Sequence, residues 1–84
     1  MTQNPNAEVE QLILDWSSEL LEEQVNGTDN FLDMGGHSVL ALDLIARIKE
    51  RFGVDVDLQL LFEHTFSEVA ADVAHSAKTL ASKG

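Results

Sequence analysis

Asp33, Met34, Gly35, Gly36, His37 and Ser38 form the stretch of this 84-residue chain best suited to chemistry. A serine hydroxyl placed directly after two glycines has little steric cover, and the apolar spacing beyond it predicts a helix that begins at Ser38. The hydroxyl would stand at the helix N-terminus, where unpaired backbone N–H groups and the positive end of the dipole hold anions. A phosphodiester on Ser38 is the chemistry that this placement suits. The glycines would let an enzyme's backbone and a bulky phosphate donor come close. The same residues also spell a plain turn followed by an N-cap serine, which on spacing alone is the simpler reading. One serine can do both.

Other chemistries fare worse. Gly36-His37-Ser38 matches the start of the hydrolase elbow G-x-S-x-G, but the closing position is Leu40 and no strand precedes it. A histidine adjacent to a serine is not a triad, and His37 reads as an exposed loop residue. Asp29, Asn30 and Asp33 suggest a calcium loop, yet its third position would be Phe31, which cannot ligate. The chain has no cysteine, and its three histidines share no helix-face spacing, so no metal site is expected. A domain of this length can hardly build a substrate cleft, and a non-catalytic role is expected.

The charge excludes further classes. Fifteen acidic residues stand against five basic ones, for a net charge of −10, and the first Lys or Arg is Arg47. An acidic front half repels a phosphate backbone, so nucleic acid is not an expected partner; basic protein surfaces are. No apolar run is long enough to span a membrane, and no leader pattern opens the chain.

The elements that must position Ser38 read as helices. Val9, Leu12, Ile13, Trp16 and Leu20 recur at helical steps and predict a first helix over residues 7–21, started by Pro5 or Asn6, with Trp16 as a core anchor. Residues 22–37 predict a long loop pinned by Phe31, Leu32 and Met34, and loops of this length in small domains are usually functional. A second helix over 38–52 stops at Gly53 and turns Leu40, Ala41, Leu44, Ile45, Ile48 and Phe52 inward. Val39, Leu42 and Ala46 form a second apolar stripe on its far side, beside Asp43. Val54-Asp55-Val56 is too short for a paired strand. Asp57 could cap a short third helix over 58–62, and Thr65 with Glu68 spells a capping box for a fourth helix ending near residue 80. The expected fold is an all-α bundle of three principal helices and one short one, with residues 7–80 as the domain and residues 1–6 and 81–84 as flexible tails.

The segment from Asp29 to Ser38, followed by Val39-Leu40-Ala41-Leu42, Phe52-Gly53-Val54 and Leu60-Leu61-Phe62-Glu63, closely resembles the peptidyl carrier, or thiolation, domains of non-ribosomal peptide synthetases, in the acyl carrier protein superfamily. The likeness covers roughly residues 8–74. Fatty-acid carriers usually have an aspartate before the serine, where this chain has His37. The resemblance implies a four-helix carrier bundle and a 4′-phosphopantetheine arm on Ser38, flanked by Asp33, Gly35, Gly36 and His37. A separate phosphopantetheinyl transferase using coenzyme A and a divalent metal would attach it. An adenylation or other loading enzyme would add an aminoacyl or acyl cargo as a thioester. Condensation, tailoring or thioesterase enzymes would receive it, through an interface of Val39, Leu42, Ala46 and Phe62 with Met34 beside the arm.

The chain departs from its relatives in two respects. Asp57 and His64-Thr65 stand where relatives commonly have prolines before the third and fourth helices, so the third-helix region can sit differently. Asp43 stands where many have a basic or neutral residue, which hints at a partner with a basic patch. Alternatives are an acyl carrier of a polyketide or fatty-acid pathway, against which Gly36-His37 speaks, and an unmodified carrier-shaped interaction module, against which the intact Ser38 speaks. A cytoplasmic, monomeric and free-standing protein is expected.

Overall fold

The computed structural model describes the backbone of residues 5–83 and the side chains of residues 7–77. Four helices follow in order: α1 Pro5–Leu21, α2 Ser38–Phe52, α3 Leu58–Glu63 and α4 Phe66–Lys83. The all-α bundle expected from the sequence is confirmed, with α3 as its short member. α1 starts at Pro5, a residue suited to the first turn because its missing N–H has no partner there. α4 runs to Lys83, past the expected end near residue 80. Residues 1–4 and 84, parts of the expected tails, lie outside the described residues.

The helix stops follow local chemistry. α1 ends where Glu22 takes a left-handed φ of 56°. Gly53, with φ 72°, ends α2 and donates its N–H to the Lys49 carbonyl at 2.8 Å, a turn that glycine makes without a Cβ penalty. The capping box of α4 is complete: Glu68 N–H donates to Thr65 Oγ1 at 3.2 Å and Thr65 N–H donates to Glu68 Oε1 at 2.9 Å. That backbone hydrogen bond, with His64 Nδ1 beside the same oxygen, holds the Glu68 carboxyl below the usual carboxylate range. At α3, Asp57 occupies the cap position but its side chain makes no capping bond.

The core unites all four helices and the connections: Val9 and Ile13 from α1, Ala41, Leu44 and Ile48 from α2, Leu61 from α3, Phe66, Val69, Ala70, Val73 and Ala74 from α4, with Val25, Phe31, Val54 and Val56 between them. On α2 the inward stripe lies as expected, with Leu40, Ile45 and Phe52 at its margins. Two expectations need correction. Trp16 is only partly buried and tilts against Phe52 at the edge of the core, with ring centroids 6.2 Å apart. Leu32, expected to pin the loop, is 50% exposed, and Val25 is buried instead.

On α1 the buried centre runs Val9, Ile13, Ser17, and Ser17 is fully buried with no hydrogen-bond partner for its Oγ. A buried, unpaired hydroxyl costs about 1–3 kcal/mol, and alanine also has the better helix propensity. Ser17→Ala is therefore expected to raise stability by about 1 kcal/mol, read as a higher urea midpoint at unchanged slope. A lower midpoint would show that the hydroxyl is not an orphan.

Candidate functional site

The loop of residues 22–37 reaches Ser38 over a single aromatic ring. Phe31 is buried and meets Phe66 edge-on, with centroids 6.2 Å apart. Its carbonyl accepts the Gly36 N–H at 2.9 Å. Gly36 is buried against the Phe31 ring, and a Cβ there would fall 2.3 Å from Phe31 Cδ2 and Cε2. The reading of both glycines as room for an approaching enzyme is thus corrected for Gly36, which has no side chain because Phe31 occupies the space. Gly35 is the open one. It is exposed, takes φ 93°, and a Cβ there would meet nothing within 4 Å.

The turn is tightened by hydrogen bonds from Met34 N–H to the Asn30 carbonyl at 3.0 Å and from Gly35 N–H to the Leu32 carbonyl at 3.1 Å. Asp33 is exposed, with its N–H held by Asn30 Oδ1 at 3.1 Å. Asp29 Oδ2 accepts the Asn26 N–H at 2.8 Å. The acidic and amide residues that suggested calcium are turn builders. No group of three or more His, Cys, Asp or Glu among the described residues could hold a metal ion.

The cap reading of Ser38 is overturned. The cap position belongs to His37, extended at φ −126° and ψ 177°, and no side chain makes a capping bond. Ser38 is the first residue of α2 and is exposed. The first bond of the helix runs from Ala41 N–H to the His37 carbonyl at 2.8 Å, so the N–H groups of Ser38, Val39 and Leu40 lie ahead of the ladder. Among the described residues, no hydrogen bond joins the His37 and Ser38 side chains.

Beyond the serine, Val39 is 70% and Leu42 55% exposed, and Ala46 is exposed one turn further on. They continue the face next to Ser38 by helical spacing. Met34 and Phe62 are partly buried against the core, so each offers only part of its surface. Asp43 is not a free anion: its Oδ1 accepts from Arg47 Nε at 3.0 Å, while Arg47 Nη1 reaches Glu19 Oε1 at 2.6 Å. Glu19 and then Asp43 raise the Arg47 guanidinium above its usual range. Sequence reasoning missed Leu32, an exposed apolar residue of the same loop, and Asn30; the adjacency of Leu32 to a buried Phe31 was the available signal.

Residues 9–73 match the family model described as the phosphopantetheine attachment site. The chain belongs to that family. It is 38% identical over 73 residues to gramicidin S synthase 2 of Brevibacillus brevis, covering 84% of this chain and 2% of that protein. It is 36% identical over 80 residues to bacitracin synthase 2 of Bacillus licheniformis, covering 93% of this chain and 3% of that protein. The chain thus spans only a few per cent of the length of these relatives. A chain in the structure of the phosphopantetheine transferase Sfp in complex with coenzyme A and a peptidyl carrier protein matches with a TM-score of 0.75 and 26% identity, covering 89% of this chain and 95% of that one. These likenesses make the fold a peptidyl carrier domain and its cofactor a covalent phosphopantetheine. The residues here fit that group: an exposed hydroxyl unspent on capping, N–H groups ahead of the helix ladder and open space at Gly35.

The two glycines of the loop before Ser38 should respond differently to a methyl group. Gly36→Ala is expected to lower stability by about 1–3 kcal/mol, since Phe31 must leave its seat. Gly35→Ala is expected to cost about 1 kcal/mol, from backbone strain alone. Urea midpoints in the reverse order would place the constraint in the turn and not in the ring.

Proposed function

We propose that Ser38 carries the phosphopantetheine arm and that the protein is a non-catalytic peptidyl carrier, handing an aminoacyl or peptidyl group between separate enzymes of non-ribosomal peptide synthesis. The observation that carries this reading is the exposed Ser38 at the first position of α2, its hydroxyl free of any capping role beside N–H groups ahead of the ladder. The arm supplies a terminal thiol on which a carboxylic acid is held as a thioester.

The chain's own residues divide the remaining work. The Ser38 hydroxyl gives up its proton as its oxygen bonds the phosphorus on the pantetheine side of coenzyme A, the pyrophosphate bond breaks and adenosine 3′,5′-bisphosphate leaves. The backbone at the start of α2 offers the resulting phosphodiester hydrogen bonds and a favourable dipole. Gly35 leaves the approach open. Val39, Leu42 and Ala46 present apolar surface to a visiting enzyme, with Leu32, Met34 and Phe62 at the margins. The partners are a phosphopantetheinyl transferase, an adenylation or loading enzyme, and condensation, tailoring or thioesterase enzymes downstream. Coenzyme A as donor of the arm suits a cytoplasmic setting. Among the described residues, no helix is long and apolar enough to cross a membrane.

Intact-protein mass after incubation with coenzyme A, magnesium and a broad-specificity phosphopantetheinyl transferase tests the assignment. The wild type should gain one phosphopantetheinyl group and Ser38→Ala none. A gain in both would move the site elsewhere, and a gain in neither would leave an unmodified interaction module.

The docking face has its own test. Val39→Asp removes apolar surface that the fold does not bury, so helicity and melting temperature should hold while transfer to a partner enzyme slows about tenfold, equivalent to one 1.4 kcal/mol step of affinity. Loss of stability in parallel would make Val39 a packing residue.

A further inference from the structure

One side chain ties the short helix α3 to the loop that presents Ser38. Asn30 Nδ2 faces three backbone carbonyls at the end of α3 and just beyond it: Leu61 at 3.4 Å, Phe62 at 3.1 Å and His64 at 2.8 Å. An amide has two N–H hydrogens, so three carbonyls share them. Its Oδ1 accepts the Asp33 N–H at 3.1 Å. The same side chain therefore grips α3 at one end and the Asp33 to Gly36 turn at the other. The backbone adds to this: Asn30 pairs with Thr65 as an isolated antiparallel bridge, and Asp29 accepts the Phe66 N–H at 2.9 Å. One residue on, Phe31 lies against Gly36.

Asparagine is the side chain this junction requires, because it must donate to carbonyls and accept from an N–H at once. Aspartate at this position would turn a second acceptor toward three carbonyl oxygens. The grip also lies between the two places that matter to a visitor: Phe62 of α3 offers part of its surface, and Ser38 follows the turn that Asn30 holds.

We infer that Asn30 is a positioning residue that couples α3 to Ser38, so that contact made by a modifying enzyme at Phe62 sets the geometry in which the serine is presented. The inference rests on the reading of Ser38 as the modified residue. It assigns Asn30 no contact with the arm or the enzyme; the residue acts through the turn.

The test measures steady-state modification of the full chain by a broad-specificity transferase with coenzyme A, at a temperature where every variant is shown to be folded. Modification of the wild type but not of Ser38→Ala establishes the Ser38 reading, and its failure would sink that reading first. Given wild-type modification, Asn30→Asp is expected to raise the KM for the carrier by about fivefold, a coupling of ordinary size. The kcat should stay within about twofold. Val25→Ala, which thins the core from the same loop without touching the junction, is expected to lose stability and keep the wild-type KM. Phe62→Ala should raise KM in the wild-type background and add little on top of Asn30→Asp, because the connection is already broken. Equal KM values for Asn30→Asp and Val25→Ala, or effects of Asn30→Asp and Phe62→Ala that simply multiply, would overturn the inference. If Asn30→Asp does not fold, Phe62→Ala alone decides: the Asn30 side-chain amide and Gly36 backbone resonances should shift with it, and unmoved resonances would refute the coupling.

Discussion

The contact between the Phe31 ring and the Gly36 backbone is the constraint on which the Ser38 end of the domain depends. The loop of residues 22–37 has no helix or strand of its own to absorb its backbone polar groups, and ordering each residue costs about 1–2 kcal/mol of conformational entropy. The structure offsets that by burying two loop side chains, Val25 and Phe31, and by tying the loop to the start of α4. Ser67 N–H donates to the Gly27 carbonyl and Phe66 N–H to the Asp29 carbonyl, each at 2.9 Å. Phe31 is the last buried side chain before the serine. With its ring fixed edge-on to Phe66, Gly36 has one place to go, and α2 starts from there.

A fixed underside and an uncovered upper side suit the proposed role of a domain met by several enzymes in turn. The inward face of α2 is spent on the core, while Val39 and Leu42 remain exposed. The proposed carrier role does not need such a patch to hold a partner tightly. Once docked, a tethered group reacts as an intramolecular partner at high effective concentration, so a brief encounter suffices. Charge works in the same direction. Arg47 is engaged by Glu19 and Asp43, and Lys49 Nζ lies 3.2 Å from Asp55 Oδ1. With two of the few cations paired internally, long-range attraction is left to the acidic excess, which favours basic partners and is screened beyond roughly 8 Å at physiological ionic strength.

The parts of this structure that were legible in the sequence are those where one residue type does one local job. Gly53 stops α2 because its left-handed φ favours glycine, and Thr65 with Glu68 caps α4 because the two side chains reach each other's backbone. The inward stripe of α2 followed from spacing alone. What spacing does not carry is a side chain whose partners are distant in sequence. Asn30 reads as a turn residue, and its carbonyl partners lie some 30 residues on. Arg47 reads as the basic end of α2, and its bond to Glu19 needs the α1–α2 packing. Ser17 sits at the centre of the buried stripe of α1, where a polar residue breaks the pattern and shifts the apparent stripe to Leu12 and Trp16, which are only partly buried. Ser38 reads as a cap because turn chemistry predicts a cap near Gly-Gly but not which of two neighbours fills it.

The position of Ser38 also answers a difficulty raised by the net charge. The phosphodiester proposed at Ser38 would add a further negative charge to a chain that already carries −10, and in a uniform field that addition would be opposed by every carboxylate. The field at Ser38 is not uniform. The first turn of α2 contains no acidic residue, while its last turn holds Lys49 and Arg51 and the Lys49 carbonyl accepts the Gly53 N–H. The helix therefore presents its positive end, uncovered, at the serine, an effect worth about 0.3–1 kcal/mol at an exposed site. Asp33 and Asp43 are the acidic residues nearest in sequence, five positions to either side; both are exposed to solvent, where charge is screened, and Asp43 is also paired with Arg47. A short-range favourable field thus stands against a long-range unfavourable one that water and salt already weaken, and an acidic domain can bear an anionic arm at this position.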